Sequence, residues 1–270
     1  MMSSTKTRRY KVTNGQVKLA VSETGQGQTL LFFNGLGATQ VCWERIIRAL
    51  DGQYRIVTFD FRNHGKSSTA HGLSLESFQK DAEAIMDQVA GHRPIVVGWS
   101  MGADLAVWYA AAHPGRIAGL FLIDGAVPVN LVSDPDEIRQ RLDTPAVRFG
   151  PLLLYLIGMG YRLSIDDLTN LTVEINARRE HVLTAYDQLD CPVEMVLATK
   201  TSGENGERAE RNNQLWKTGG EQLAHLHPEI SLRWLDNSHQ LPFKEPTKLA
   251  RFIDDFARQI QADSQPNIAH

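Results

Sequence analysis

The chain has 270 residues, 42% of them apolar and 22% charged, with a formal net charge of −3 at pH 7. That is the makeup of an ordinary globular protein, long enough to bury a substantial core in one large α/β domain or two small ones. So small a charge leaves no basic footprint for nucleic acid or an anionic membrane. The expected partner is a small molecule, and the protein itself is expected as a monomer or homodimer. No apolar run reaches transmembrane length, and the basic N-terminal segment lacks the apolar run of a signal peptide. Two distant cysteines, Cys42 and Cys191, suit reduced thiols, so a cytoplasmic location is expected.

In chain order, short runs at 8–13 and 16–21 flank Asn14-Gly15 and predict an opening hairpin. Apolar segments of strand length follow at 29–33, 55–60, 93–99, 117–124, 193–199 and 230–235. They are continuous rather than alternating, as in strands covered on both faces. Helical patterns lie at 75–89, 103–113 and 247–260. Alternation of strand and helix predicts an α/β fold with a mostly parallel sheet flanked by helices. Residues 130–189 hold no strand candidate and predict an inserted helical cap. The core is then 1–129 and 190–262, and 263–270 is a frayed polar tail.

Gly98-Trp99-Ser100-Met101-Gly102 matches G-x-S-x-G, and its setting matters more than its letters. It follows a buried strand and opens a helix, as a nucleophile elbow requires. The glycines suit a strained turn that leaves no room for Cβ atoms beside the serine. A serine attacking a carbonyl creates an oxyanion that needs preorganised N–H donors. The Met101 amide, at the start of a helix, is one candidate. The turn Asn34-Gly35-Leu36-Gly37 offers the second, at Leu36.

With these motifs in place, the chain resembles the α/β-hydrolase fold enzymes over nearly its whole length, which implies an eight-stranded sheet. The segment FDFRNHGKSS at 59–68 resembles that family's D-x-R-G-x-G-x-S. Asn63 stands where the family usually has the first glycine of that pattern, and His64 follows it. The resemblance implies structural roles for Asp60 and Arg62, and His64 is expected as a packing or loop residue.

The family order of nucleophile, acid and histidine points to His239 in RWLDNSHQLPFKEP, where a polar turn is expected between the last strand and the histidine. Imidazole suits the base because it titrates near neutrality. The other histidines have duller readings. His113 ends a helix, His225 and His227 lie in a polar connection, His71, His92 and His270 are expected on the surface, and His181 is expected on a solvated cap helix, with contact to substrate as the alternative. No metal-ligand spacing is found, and no cofactor is expected.

The acid is the open question. Most relatives carry it after the seventh strand, but the corresponding stretch ATKTSGENGE has no aspartate. Glu204 and Glu207 lie slightly further on, in a charged loop that reads as solvated surface. Haloalkane dehalogenases, zearalenone lactonases and cofactor-free ring-cleaving dioxygenases resemble this chain in another way, because they carry the acid at the end of the sixth strand. Asp124 ends that strand here, and a carboxylate in so apolar a place needs a partner. Asp124 is the favoured acid, with Glu204 or Glu207 as alternatives.

Together these features predict a serine hydrolase of the carboxylesterase or lactonase type, cleaving an ester, lactone or thioester of a hydrophobic small molecule through an acyl-enzyme. Serine rather than aspartate at position 100 argues against an epoxide hydrolase or dehalogenase. Two other readings stay open: a cofactor-free dioxygenase-like enzyme using the histidine as base, and a noncatalytic ligand-binding homologue. Expected substrate contacts are Asn34, Gly35, Trp99 and Phe243, with Trp43 near the motif positions. The leucine-rich run TPAVRFGPLLLYLIGMGYRL at 144–163 is expected either to line the pocket or to form the cap's own core.

Overall fold

The structure, a computed structural model, describes residues 6–50, 54–132 and 134–263. Arg8–Asn14 (β1) and Val17–Thr24 (β2) form the opening hairpin, with Asn14 paired to Val17. Its two-residue loop is therefore Gly15-Gln16, one position later than Asn14-Gly15. Thr29–Phe33 (β3), Arg55–Phe59 (β4), Ile95–Trp99 (β5), Gly119–Ile123 (β6), Val193–Lys200 (β7) and Ser231–Ser238 (β8) complete one sheet. The order is β1-β2-β4-β3-β5-β6-β7-β8. The β2–β4 pairing is antiparallel, and the pairings that link β4, β3, β5, β6, β7 and β8 are all parallel. This is the mostly parallel eight-stranded sheet that the resemblance implied.

The continuous apolar strands are explained by two cores, one on each face. Leu31, Phe33 and Val96 pack on one side, while Leu30, Phe32, Ile95 and Val97 pack on the other. A side chain every second residue thus enters the same core, and both sets are covered. Glu44–Ala49 (α1), Leu75–Gln88 (α2) and Met101–Ala112 (α3) lie between the first strands. A capping box at Ser74 and Ser77 starts α2, and such pairing satisfies two otherwise orphaned amides.

After β6 come Pro135–Leu142 (α4), Pro145–Tyr155 (α5), Ile165–Arg179 (α6) and Val182–Tyr186 (α7). A second capping box, Ser164 with Asp167, opens α6, and Leu168, Leu171, Ile175 and Arg179 are among the residues it buries. Glu207–Leu226 (α8) follows β7, and Leu241–Lys244 (α9) and Pro246–Asp263 (α10) close the described chain. Of the expected tail 263–270, Asp263 ends α10 and 264–270 lie outside the described residues.

Two sequence expectations are corrected. The segment from 207, read as a charged surface loop, opens the 20-residue helix α8, whose buried face is sparse: Ala209, Trp216, Gly219, Gly220 and Leu223. Its polar majority hid the period. The last strand runs to Ser238, because Ser238 still pairs with Lys200. His239 is therefore the first residue after β8, with no polar turn between.

Candidate active site

β5 ends at Trp99 and α3 begins at Met101, so Ser100 alone makes the turn, at φ 55 and ψ −125. A non-glycine residue in that conformation is strained by roughly 1–3 kcal/mol and persists only when its surroundings over-determine it. They do. The Ser100 N–H donates to the Ile123 carbonyl at 2.9 Å, and the Ser100 carbonyl accepts from the Ala103 N–H at 2.9 Å. A Cβ on Gly98 would come within 2.5 Å of the Gly102 carbonyl oxygen, and one on Gly102 within 2.1 Å of the Phe33 carbonyl oxygen. Both motif glycines therefore permit contact between helix, strand and turn that no other residue type allows.

Ser100, Asp124 and His239 follow the C-terminal ends of β5, β6 and β8, and the sheet brings them together. His239 Nε2 lies 2.9 Å from Ser100 Oγ, and His239 Nδ1 lies 2.5 Å from Asp124 Oδ2. A carboxylate only accepts, so Nδ1 carries the ring proton and Nε2 is left to accept the serine hydroxyl. The Asp124 side chain is fully buried, whereas that of His239 is 34% exposed. Burial of the carboxylate is compensated by further donors: the Ala198 N–H at 2.8 Å and the Trp216 indole N–H at 3.2 Å, both to Oδ1. Glu204 instead pairs with Arg208 and lies 3.8 Å from Arg141, and Glu207 is exposed in the first turn of α8. Among the described residues, Asp124 is the carboxylate that His239 meets.

Leu36 and Met101 line one cavity with Ser100, Asp124 and His239. Among the described residues neither the Leu36 nor the Met101 amide donates to a protein acceptor. Of these two N–H groups, that of Met101 is at the start of α3, where the helix dipole favours a ligand oxygen. Asn34, just before the turn, is fully buried. Its Oδ1 accepts from the Trp43 indole at 2.5 Å, and its Nδ2 donates to the Phe59 carbonyl at 2.6 Å.

A family model described as the alpha/beta hydrolase fold matches residues 28–149. Over the whole described architecture, a carboxylesterase structure from Nitrososphaera gargenis superposes with a TM-score of 0.74 at 15% identity, covering 95% of this chain and 100% of that one. A haloalkane dehalogenase variant from Bradyrhizobium elkanii superposes with a TM-score of 0.72 at 15% identity, covering 96% and 99%. The chain has the α/β-hydrolase fold. Among curated relatives, 3-oxoadipate enol-lactonase 1 of Acinetobacter baylyi is 30% identical over 121 residues, covering 44% of this chain and 46% of that protein. Pimeloyl-[acyl-carrier protein] methyl ester esterase of Vibrio cholerae is 31% identical over 100 residues, covering 37% and 38%. The matched stretch thus spans less than half the length of these relatives.

On this α/β-hydrolase frame the cavity, about 550 Å³, lies between the carboxyl ends of the strands and helices α4, α6 and α8. Its wall is mixed: Ile138, Leu168 and Ile175 are apolar, while Thr172, Asn176 and Asn212 are polar. The expected substrate contacts are elsewhere. Asn34 is a buried brace, and Gly35 lies behind the serine, where an added Cβ would stand 3.1 Å from Ser100 Cβ. Trp99 donates its indole N–H to the His239 carbonyl at 3.0 Å and lies tilted against the imidazole, with Phe243 edge-on to the Trp99 ring. None of the four lines the cavity. Trp43 is fully buried in the core, and His181 is exposed and also lies off the cavity.

The run 144–163 contributes Val147 and Tyr161 to the cavity wall. Phe149, Leu153, Leu156 and Ile157 are instead 67%, 69%, 76% and 64% exposed. The reason is positional: α4 and α6 occupy the cavity side, and no residue of α5 is buried.

Three features of the surroundings were not anticipated. Trp216 has a visible signal, a lone tryptophan in the otherwise polar stretch NNQLWKTGG. Arg179 has another, because it falls in step with Leu168, Leu171 and Ile175 on the buried stripe of α6. It makes a bidentate pair with Asp104 of α3, at 2.8 and 2.6 Å. Burial would lower the Arg179 pKa, but the Asp104 charge and hydrogen bonds raise it above the ordinary value. Asp104 also accepts from the Ala126 N–H at 3.0 Å, and the Tyr186 hydroxyl donates to the Ala126 carbonyl at 2.9 Å. Through Ala126 these residues hold the loop that carries Asp124. Ala198, the third, acts through its backbone and has no signature in its side chain.

Proposed function

We propose that the chain hydrolyses an ester, lactone or thioester of a small molecule through an acyl-enzyme on Ser100, with Asp124 and His239 as acid and base. The carrying observation is the continuous line Ser100–His239–Asp124, 2.9 and 2.5 Å, beside two residues, Leu36 and Met101, that line the same cavity and whose amides have no protein acceptor among the described residues. His239 Nε2 takes the hydroxyl proton as Ser100 Oγ bonds to the carbonyl carbon. The carbonyl electron pair moves onto oxygen, opposite the Leu36 and Met101 N–H groups. Collapse expels the alkoxide or thiolate, which receives the proton from His239. Water repeats the sequence on the acyl-enzyme, releasing the acid and restoring Ser100. Residues 130–189 serve as a cap on the core formed by 1–129 and 190–262. The mixed wall accommodates an acyl group with both apolar and polar parts, which narrows the hydrophobic substrate expected from sequence.

The test is turnover of p-nitrophenyl acetate and butyrate, with labelling by a fluorophosphonate probe. Both are expected in the unsubstituted protein and both are expected to vanish in Ser100→Ala. An unsubstituted protein that neither turns over ester nor takes the probe overturns the reading.

A further inference from the structure

We infer that His64 is a positioning residue for the oxyanion turn: as a neutral acceptor for the Gly37 N–H it fixes the direction of the neighbouring Leu36 amide. The inference rests on the hydrolase reading above. His64 is fully buried, with its ring centroid 5.9 Å from those of Phe78 and Tyr161. Its Nδ1 lies 2.7 Å from the Arg62 carbonyl. A carbonyl only accepts, so Nδ1 carries the proton and Nε2 has a free lone pair. The Gly37 N–H donates to that lone pair at 3.0 Å. Both ring nitrogens are thus used in one tautomer, and an imidazolium would lose the acceptor.

The turn itself is short, closed by the Ala38 N–H donating to the Gly35 carbonyl at 3.1 Å. Asn34 anchors its upstream end through Trp43 and Phe59. His64 anchors the downstream end, at the residue after Leu36. The anchor is itself rigid. Asp81 clasps Arg62 through Nε at 2.8 Å, Nη2 at 2.7 Å and the backbone N–H at 3.1 Å, which sets the carbonyl that His64 meets. A β-bridge joins His64 to Tyr161, and the Gly65 N–H donates to the Gly160 carbonyl at 2.8 Å. Burial keeps the ring neutral, with its pKa pushed down to about 4. An oxyanion donor acts through its preorganised direction, so a turn freed at one end loses rate without losing substrate affinity.

Two substitutions separate this role from simple packing. The amide of Gln reaches the place of Nε2 and can accept from Gly37, whereas that of Asn reaches only the place of Nδ1 and can serve only Arg62. Both lose one hydrogen bond, so similar falls in melting temperature are expected. With p-nitrophenyl butyrate, kcat in His64→Asn is expected to fall about tenfold or more at unchanged KM, and His64→Gln to recover most of it. Equal losses in the two variants, or losses that follow the melting temperature, overturn the assignment while leaving the hydrolase reading intact. Should neither variant fold, the unsubstituted protein decides through NMR. A coupling across the hydrogen bond between Gly37 N–H and His64 Nε2 is expected, and a protonated Nε2 overturns the assignment. An unsubstituted protein inert to ester and fluorophosphonate overturns both readings together.

Discussion

The Trp216 indole N–H donates to Asp124 Oδ1 across 3.2 Å, joining a helix that follows β7 to the carboxylate just after β6. With the Ala198 N–H on the same oxygen, it leaves Oδ2 directed at His239. Trp216→Phe keeps an aromatic side chain, though a smaller one, and removes the donor. A fall in kcat of about tenfold, corresponding to ~1.4 kcal/mol for one hydrogen bond to a charged group, is expected with little change in KM. Steady-state kinetics on p-nitrophenyl butyrate measure it.

Asp124→Asn is expected to lower kcat by roughly 10⁴, because the amide no longer holds Nδ1–H toward itself and the imidazole loses its tautomer. Glu204→Gln is expected to stay within about twofold, since that exposed group pairs with arginines and not with His239. Circular dichroism and turnover of both variants check the contrast. Full activity in Asp124→Asn would transfer the role elsewhere.

Arg179→Met leaves Asp104 buried without its guanidinium partner. Loss of one member of a buried pair costs about 3–5 kcal/mol, and a shift of that size is expected in urea unfolding. The Asp124 loop is bonded to Asp104 through Ala126, so activity is expected to fall before the fold is lost.

Acid destabilises the protein through His64. Burial lowers its pKa to about 4, against the smaller raising effects of the Arg62 carbonyl and the Asp81 charge. The unfolded chain binds a proton on this residue near pH 6.5, and the folded chain does not until about 4. Its contribution is therefore intact above about pH 6.5 and declines as pH falls toward 4, by on the order of 3 kcal/mol in all. Urea midpoints at pH 7 and 4.5 are expected to differ less in His64→Gln than in the unsubstituted protein.

The strands and the three facing groups were legible because local chemistry and fold agree there. A buried strand, two glycines and a helix start specify the turn at Ser100, and an aspartate at the end of an apolar strand has to find a partner. The alternatives Glu204 and Glu207 were close in sequence to the usual acid site, but Glu204 precedes α8 and is paired with Arg208 of that helix, and Glu207 is exposed in its first turn. What escaped the sequence has a common cause. Trp216 lies on a helix with few apolar residues, so its period was weak. The leucine-rich run misled in the opposite direction, since apolar content does not say which way a helix faces. The hydrogen bond from Gly37 to His64 joins residues 27 apart, and nothing in either segment announces it.

The difference in exposure between His239 and Asp124 gives the site a direction for water. A third of the His239 side chain is open to solvent, whereas the carboxylate bonded to it has no exposed surface. Solvent at the site thus touches the imidazole, and the carboxylate bonded to it is reached only through that ring.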